Sequence, residues 1–301
     1  MLSSLDPAAQ QFLNSLNRIS DRMTQAQQRI STGLKITQVS DAPDSISLLL
    51  QAQASLGSTE QTLSNLGRVK TEVDTGEQAL QNAVSLFDQV QTLGAQGNTD
   101  TQTAAGRADI AQQLDSILQQ YVGLAGTAVE GRYIFSGDSD QQAPYTYTVG
   151  AANPVSAYLG SNSTRLVQHP NGTTFSVALT AQQIFDSTDP TTNVFASIQN
   201  LSAALRANDS AAIQIAADGL SKVGEYLNSE LAAYGNTQNK VTEATNFGQT
   251  LQVQLQTQIS NLQDADLTQA ILDLTQGQTQ QQAALQSRAR LPRTTLFDYL
   301  A

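Results

Sequence analysis

The chain has 301 residues with no cysteine, no tryptophan, a single histidine and a formal net charge of −11, which excludes disulfides, thiolate nucleophiles, Cys-based metal sites and every metal motif that needs two histidines. So acidic a chain does not suit a nucleic-acid partner, which demands clustered Lys and Arg, and no run approaches the ~20 apolar residues that would insert across a membrane. Charged residues are 14% of the chain, and roughly forty glutamines fill the gap, far above an average share.

The opening, MLSSLDPAAQQFLNSLNRIS, lacks the basic start and apolar run of a cleaved secretory signal. That leaves the cytoplasm, or export by a route without such a signal. From Phe12 the apolar positions run Phe12, Leu16, Ile19, Met23, Ala26 and Ile30, alternating steps of four and three that make a heptad seam. The stripe is narrower than the buried face of an ordinary globular helix, so the segment needs a partner helix. Gly33 and Pro43 break the pattern within STGLKITQVSDAPD, where Ser40 or Asp41 can cap a helix with Pro43 in its first turn.

A long helix follows, with Leu49, Ala52, Leu56, Leu63, Leu66 and Val73 on one face; it continues, kinked near Gly76, to a stop at Gly97-Asn98. A third spans about 106–124. The stretch GRYIFSG, residues 131–137, then concentrates scarce aromatics between two glycines. From Asp138 to about Asp186 the runs YTYTV, VSAYLG and TRLVQHPNGTTFSVAL are short and β-rich, with PNGT a hairpin turn. Helix returns at 194–205 and 210–234. A last long helix is expected over roughly 236–286, carrying Leu255, Leu262, Ile271, Leu274 and Leu285. Both ends of the chain are therefore seam-type helices that pair most simply with each other. The predicted fold is mainly α, an elongated rod of antiparallel coiled-coil helices from both ends with a small β-rich insert at the far tip.

Catalytic constellations are missing from this pattern. His169 has no second His or Cys to work with, Asp138, Asp140, Asp186 and Asp189 lack the twelve-residue loop of a calcium site, and no Gly-rich phosphate loop occurs. No enzyme, cofactor or metal is expected. Asn-Ser-Thr at 162–164 and Asn-Gly-Thr at 171–173 match the glycosylation acceptor pattern.

The arrangement resembles the flagellin superfamily. STGLKI followed by SDAPD is similar to that family's N-terminal signature, SLFDQVQTLGAQGN at 85–98 to its helix ending in Gln and small residues, and DADLTQAILDLTQGQTQQQAALQSRAR to its C-terminal helix. GRYIFSGD and the tail TTLFDYLA resemble the branch of hook-associated proteins at the hook–filament junction, whereas the opening MLSSLDPAAQQ departs from that branch's usual start. The resemblance implies a structural flagellar subunit, exported unfolded through the flagellar type III apparatus without a cleaved signal and assembled outside the cell. Implied partners are identical copies in a ring, flagellin, another hook-associated protein and an export chaperone. The alternatives are flagellin itself, and a surface adhesin or glycan-binding protein on a flagellin-like stalk.

On this reading 1–42 and 262–301 form a terminal coiled-coil domain lining the inner tube. Residues 43–137 and 191–261 form a helical stalk, and 138–190 a peripheral outer insert. The assembly interface would use Phe12, Leu16, Ile19, Met23, Ile30, Leu255, Leu262, Ile271, Leu274, Leu285, Leu296, Phe297 and Leu300. Gly131, Tyr133, Phe135 and Gly137 would form the joint between stalk and insert, the glycines allowing the backbone turns.

Overall fold

In a computed structural model, which describes residues 7–151 and 153–290, the chain is mainly helical. The described helices are α1 (Pro7–Thr32), α2 (Pro43–Gly97), α3 (Ala104–Ala125), α4 (Ala181–Phe185), α5 (Val194–Ala207), α6 (Ser210–Gln263) and α7 (Leu267–Arg290). The described strands form two small antiparallel ribbons, β1 (Ala128–Val129) with β2 (Arg132–Tyr133) and β3 (Leu166–Gln168) with β4 (Thr174–Ser176).

The chain divides into two compact units. A terminal unit comprises Met1–Ser58 and Gln252–Ala301, and a central unit comprises Thr59–Leu251. Helices α2 and α6 contribute turns to both.

The central unit holds one contiguous core. It is built from α2 (Leu66, Leu80, Phe87), α3 (Leu114, Leu118, Tyr121), α5 (Ile198, Leu201, Leu205) and α6 (Val223, Leu227, Tyr234). Gly76 does not kink α2, which runs unbroken to Gly97; the missing side chain instead makes room for the buried Tyr234 ring, since a Cβ at Gly76 would lie 2.6 Å from Tyr234 Cε1. The turn after α2 is pinned by buried Arg107, whose Nε donates to Gly97 O at 3.0 Å and whose Nη1 donates to Asn208 Oδ1 at 2.7 Å. A cation among the last carbonyls of a helix is also favoured by the helix dipole.

The segment between α3 and α5 is less regular than its composition implies. YTYTV and VSAYLG meet in a single bridge, Tyr147 with Val155; Pro144 and Pro154 lack the N–H a longer ladder needs, and Thr146 N donates to Ser156 Oγ at 3.0 Å. Tyr145 packs on Phe195 at 5.0 Å and on Tyr158 at 5.5 Å. The expected hairpin is present, with His169 N donating to Thr173 O across PNGT at 2.7 Å. Its tip lies on the helices: the His169 ring is 5.2 Å from that of Phe247, and a Cβ at Gly248 would lie 3.1 Å from Pro170 Cγ and 2.7 Å from Leu63 Cδ2. Tyr145, Val177, Ile184 and Phe185 belong to the same core as the helices, so the insert is packed into the central unit rather than being the peripheral module that the family resemblance implied.

The break expected near Asn236 is also absent, because α6 continues through Gly235 to Gln263. Here Tyr234 and Val241 are buried in the core, and this burial outweighs the modest cost of glycine in a helix. The interruption falls at 264–266, where Asp266 Oδ1 accepts from Thr268 N at 2.9 Å and Gln269 N at 3.1 Å and starts α7 as its N-cap.

Candidate assembly surface

In the terminal unit α1 and α7 pack together. Phe12, Leu16, Ile19, Met23 and Ile30 are half-buried, and Ala26 is buried. The inward positions of α7 are Ala270, Leu274, Gly277, Gln281 and Ala284, again in steps of four and three. Met23 fills the space over Gly277, where a Cβ would lie 2.6 Å from Met23 Cγ. The Arg288 guanidinium lies 5.6 Å from the centre of the Phe12 ring, a cation–π contact.

The loop after α1 meets the break between α6 and α7. Lys35 N donates to Gln263 O at 2.7 Å, Ala265 N donates to Gly33 O at 2.8 Å, and Lys35 Nζ reaches Asn261 O at 2.7 Å. Leu34 and Asp264 form an antiparallel bridge. STGLKI and DADLT, more than two hundred residues apart, are thus neighbours, which neither periodicity nor composition could reveal. Asp41 does not cap α2. Its Oδ2 turns back to accept from Thr37 N and Gln38 N, both at 2.9 Å, and from Thr37 Oγ1 at 3.0 Å. The backbone N–H of Thr37, followed by that of Gln38, holds its carboxyl below the ordinary value.

This unit has little interior of its own. Among the described residues its buried apolar side chains are Ala26, Ile36, Leu49, Ala52 and Ala270; every other one belongs to the central unit. Yet it exposes Leu13, Leu48, Leu50, Val253, Leu267, Ile271, Leu272 and Leu285. Ile271 is 52% and Leu285 53% exposed, so they lie off the face that α7 turns toward α1. Leu255, Leu262 and Leu274 are half-buried. Leu296, Phe297 and Leu300 lie outside the described residues. Exposed Leu13, Leu48 and Leu50 escaped the heptad reading because they fall between its positions.

Charge is divided unevenly. The central unit carries eight Lys and Arg against eighteen Asp and Glu, net −10, and the terminal unit seven against eight, net −1. Copies brought together through the terminal unit would therefore meet little net repulsion there.

GRYIFSG sits at the centre of an aromatic cluster. Glu130 and Gly131 both take positive φ, 51° and 78°, as a tight two-residue hairpin between β1 and β2 requires. Phe135 is fully buried, with ring centres 6.2 Å from Phe185 and 6.1 Å from Tyr234. Its carbonyl accepts from Ala181 N at 2.8 Å and from the Tyr158 hydroxyl at 3.2 Å. Gly137 has φ 63°, and a Cβ there would lie 2.1 Å from Ser161 O, so no other side chain fits. Tyr133, half-buried, donates its N–H to Asp140 O at 2.8 Å.

Of the candidate chemical groups of the sequence, His169 and Asp189 serve turns. His169 Nδ1 accepts from Asn171 N at 3.1 Å, and Asp189 Oδ1 accepts from Thr191 N and Thr191 Oγ1, each at 2.8 Å. Among the described residues no group of three or more His, Asp or Glu is placed to hold a metal ion, and no helix is long and apolar enough to cross a membrane.

Known proteins share this organisation. Residues 4–140 match the bacterial flagellin N-terminal helical region and residues 220–300 its C-terminal helical region. A flagellin of Clostridium tyrobutyricum is 24% identical over 119 residues, which span 40% of this chain and 32% of that protein. The solved structure of FlgL from Xanthomonas campestris superimposes with a TM-score of 0.59 at 18% identity, covering 70% of this chain and 99% of that one. That of the flagellar junction protein FlgL from Legionella pneumophila gives 0.54 at 12%, covering 66% and 99%. With both terminal helical regions matched in their order and flanking an unmatched middle, the chain belongs to the bacterial flagellin family.

Proposed function

We propose that this chain is a structural subunit of the bacterial flagellum, without catalytic activity, that forms a ring of identical copies at the junction between a hook-associated protein and the flagellin filament. The observation that carries this reading is the terminal unit, which among its described residues has almost no core of its own and leaves eight large apolar side chains exposed. At roughly 25 cal/mol per Å² of apolar surface removed from water, covering these side chains would favour association. Likeness to the Legionella junction protein and the Xanthomonas FlgL supports the junction over the bulk filament.

Residues 1–42 and 262–301 would line the inner tube, 43–137 and 191–261 the stalk around it, and 138–190 the outer face. Phe12, Leu16, Ile19, Met23 and Ile30 on α1, with Leu255, Leu262, Ile271, Leu274, Leu285, Leu296, Phe297 and Leu300, would supply the apolar contacts between copies. Gly131, Tyr133, Phe135 and Gly137 hold the insert to the stalk. The chain reaches the cell exterior by flagellar type III export, escorted by a chaperone.

Copy number and position test this together. An antibody to the chain should label sheared flagella at the hook–filament boundary alone and detect a trace component. Labelling along the whole filament, with the chain as its dominant protein, would make it a flagellin instead, the reading favoured by its Clostridium relative.

A further inference from the structure

Three contacts define the antiparallel register of α1 on α7: Phe12 with Arg288, Met23 with Gly277, and Gly33 with Ala265. The helical seam supplies only part of that register. Apolar residues of α1 recur every seven positions as Phe12, Ile19 and Ala26 and as Leu16, Met23 and Ile30, and they face Ala270, Leu274, Gly277, Gln281 and Ala284. After a slide of one heptad Met23 would lie over Ala270 or Ala284, where a Cβ takes the space that Gly277 leaves open and a turn of the flexible methionine side chain would relieve the contact. Apart from that fit and the half-buried amide of Gln281 the seam is repetitive, and a repetitive heptad seam discriminates weakly between such alignments.

The third contact is of another kind. Backbone bonds from Lys35 N to Gln263 O and from Ala265 N to Gly33 O fix individual residues opposite one another, and Lys35 Nζ adds a bond to Asn261 O. Ile36, beside them, is buried, and its carbonyl accepts from Gln263 Nε2 at 3.4 Å. A slide of seven residues would break all of these at once. Gly33 makes the turn possible through a φ of 72°, and nothing lies within 4 Å of where its Cβ would be.

We propose that the clasp between residues 33–36 and 261–265, more than the apolar seam, determines the register of α1 on α7, and so which apolar side chains the terminal unit presents to its partners. Gly33 and Lys35 are positioning residues in this scheme. Because the Cβ site at Gly33 is open, Gly33→Ala acts only through the backbone, while Asn, which tolerates positive φ, should restore the turn.

The cysteine-free chain allows register to be read directly in the purified full-length protein, whatever its place in the flagellum. Met23→Cys is paired in turn with Gly277→Cys for the native alignment, and with Ala270→Cys or Ala284→Cys for the two slipped ones. Disulfide geometry tolerates only close Cβ pairs, and intramolecular products are separated by gel mobility. In the otherwise unaltered chain the 23–277 bond should dominate. Gly33→Ala should lower its share relative to the slipped bonds by about ten-fold, the scale of the left-handed backbone cost, and Lys35→Met should shift it the same way. Gly33→Asn and Lys35→Arg should restore it, with the central unit melting unchanged throughout. The proposal is overturned if Gly33→Ala leaves the 23–277 share unchanged, since the seam then sets register. It is equally overturned if Gly33→Ala abolishes all three bonds, if Asn fails to rescue, or if 23–277 does not form in the unaltered chain.

Discussion

Phe135 joins three parts of the central unit at one point, its ring against Phe185 of α4 and Tyr234 of α6 and its carbonyl against Ala181 and Tyr158. Removing a fully buried Phe leaves a cavity that its neighbours refill only in part, at a cost of about 3–5 kcal/mol. Phe135→Ala should lower the urea midpoint of the central unit accordingly, and a loss under 1 kcal/mol would mean the joint can collapse around the gap. Leu16 and Ile19 behave differently because the pair they belong to has little core. An Asp at either position should abolish assembly, since burying it unpaired costs several kcal/mol, while the central unit keeps its melting temperature. A large fall in that temperature would show that α1 supports the monomer instead. Asp41 adds a pH dependence. Its folded value is depressed by the Thr37 and Gln38 N–H groups, so the support it lends the 37–41 turn is complete above the ordinary carboxylate value near ~3.9 and lost as pH falls through the lower folded value. Thr37 and Gln38 amide exchange, corrected for intrinsic rates, should rise on acidification below that range, and Asp41→Ala should show the raised exchange already at neutral pH.

At the scale of elements, the two ends of the chain and its middle have opposite economies of burial. Helices α3 and α5 are held by a dense interior, whereas α1 and α7 share a seam of half-buried side chains, small residues and amides. In a verified monomer, amides of residues 12–30 should exchange orders of magnitude faster than those of 110–121, because a helix with few buried contacts opens locally at low cost. Equal protection would contradict the view that this pair awaits partners. The segment 138–190 follows from the same comparison. Ile184, Phe185 and Tyr145 are core residues, so replacing the segment with a short linker should destabilise the central unit strongly, although loop length alone costs little. An unchanged melting temperature would make the insert a dispensable appendage after all.

For the molecule as a whole, the unequal charge of the two units sets the sign of its salt response. Association through the near-neutral terminal unit would bring net −10 units together, with their repulsion screened over a Debye length of about 8 Å at physiological ionic strength. Self-association measured by sedimentation should therefore strengthen as salt rises from low values. Weakening with salt would indicate an interface held by opposite charges across copies.

Sequence alone determined the features that rest on local periodicity and composition. The seam from Phe12 to Ile30, the long helices, the PNGT hairpin and the absence of two-histidine or cysteine chemistry all follow from spacing and residue type, and the family's terminal signatures are legible in STGLKI and DADLT. Tertiary structure decided what depends on contacts distant in sequence. It carried α6 through Gly235, because burial of Tyr234 and Val241 outweighs a local helix-breaking preference, and it drew the β-rich segment into the helical core through Tyr145 and Phe185. It also set Gly33 and Lys35 against Ala265 and Gln263, and turned Ile271 and Leu285 away from α1. A heptad pattern states that a helix needs a partner, but which face meets which helix depends on backbone bonds and packing that no single segment encodes.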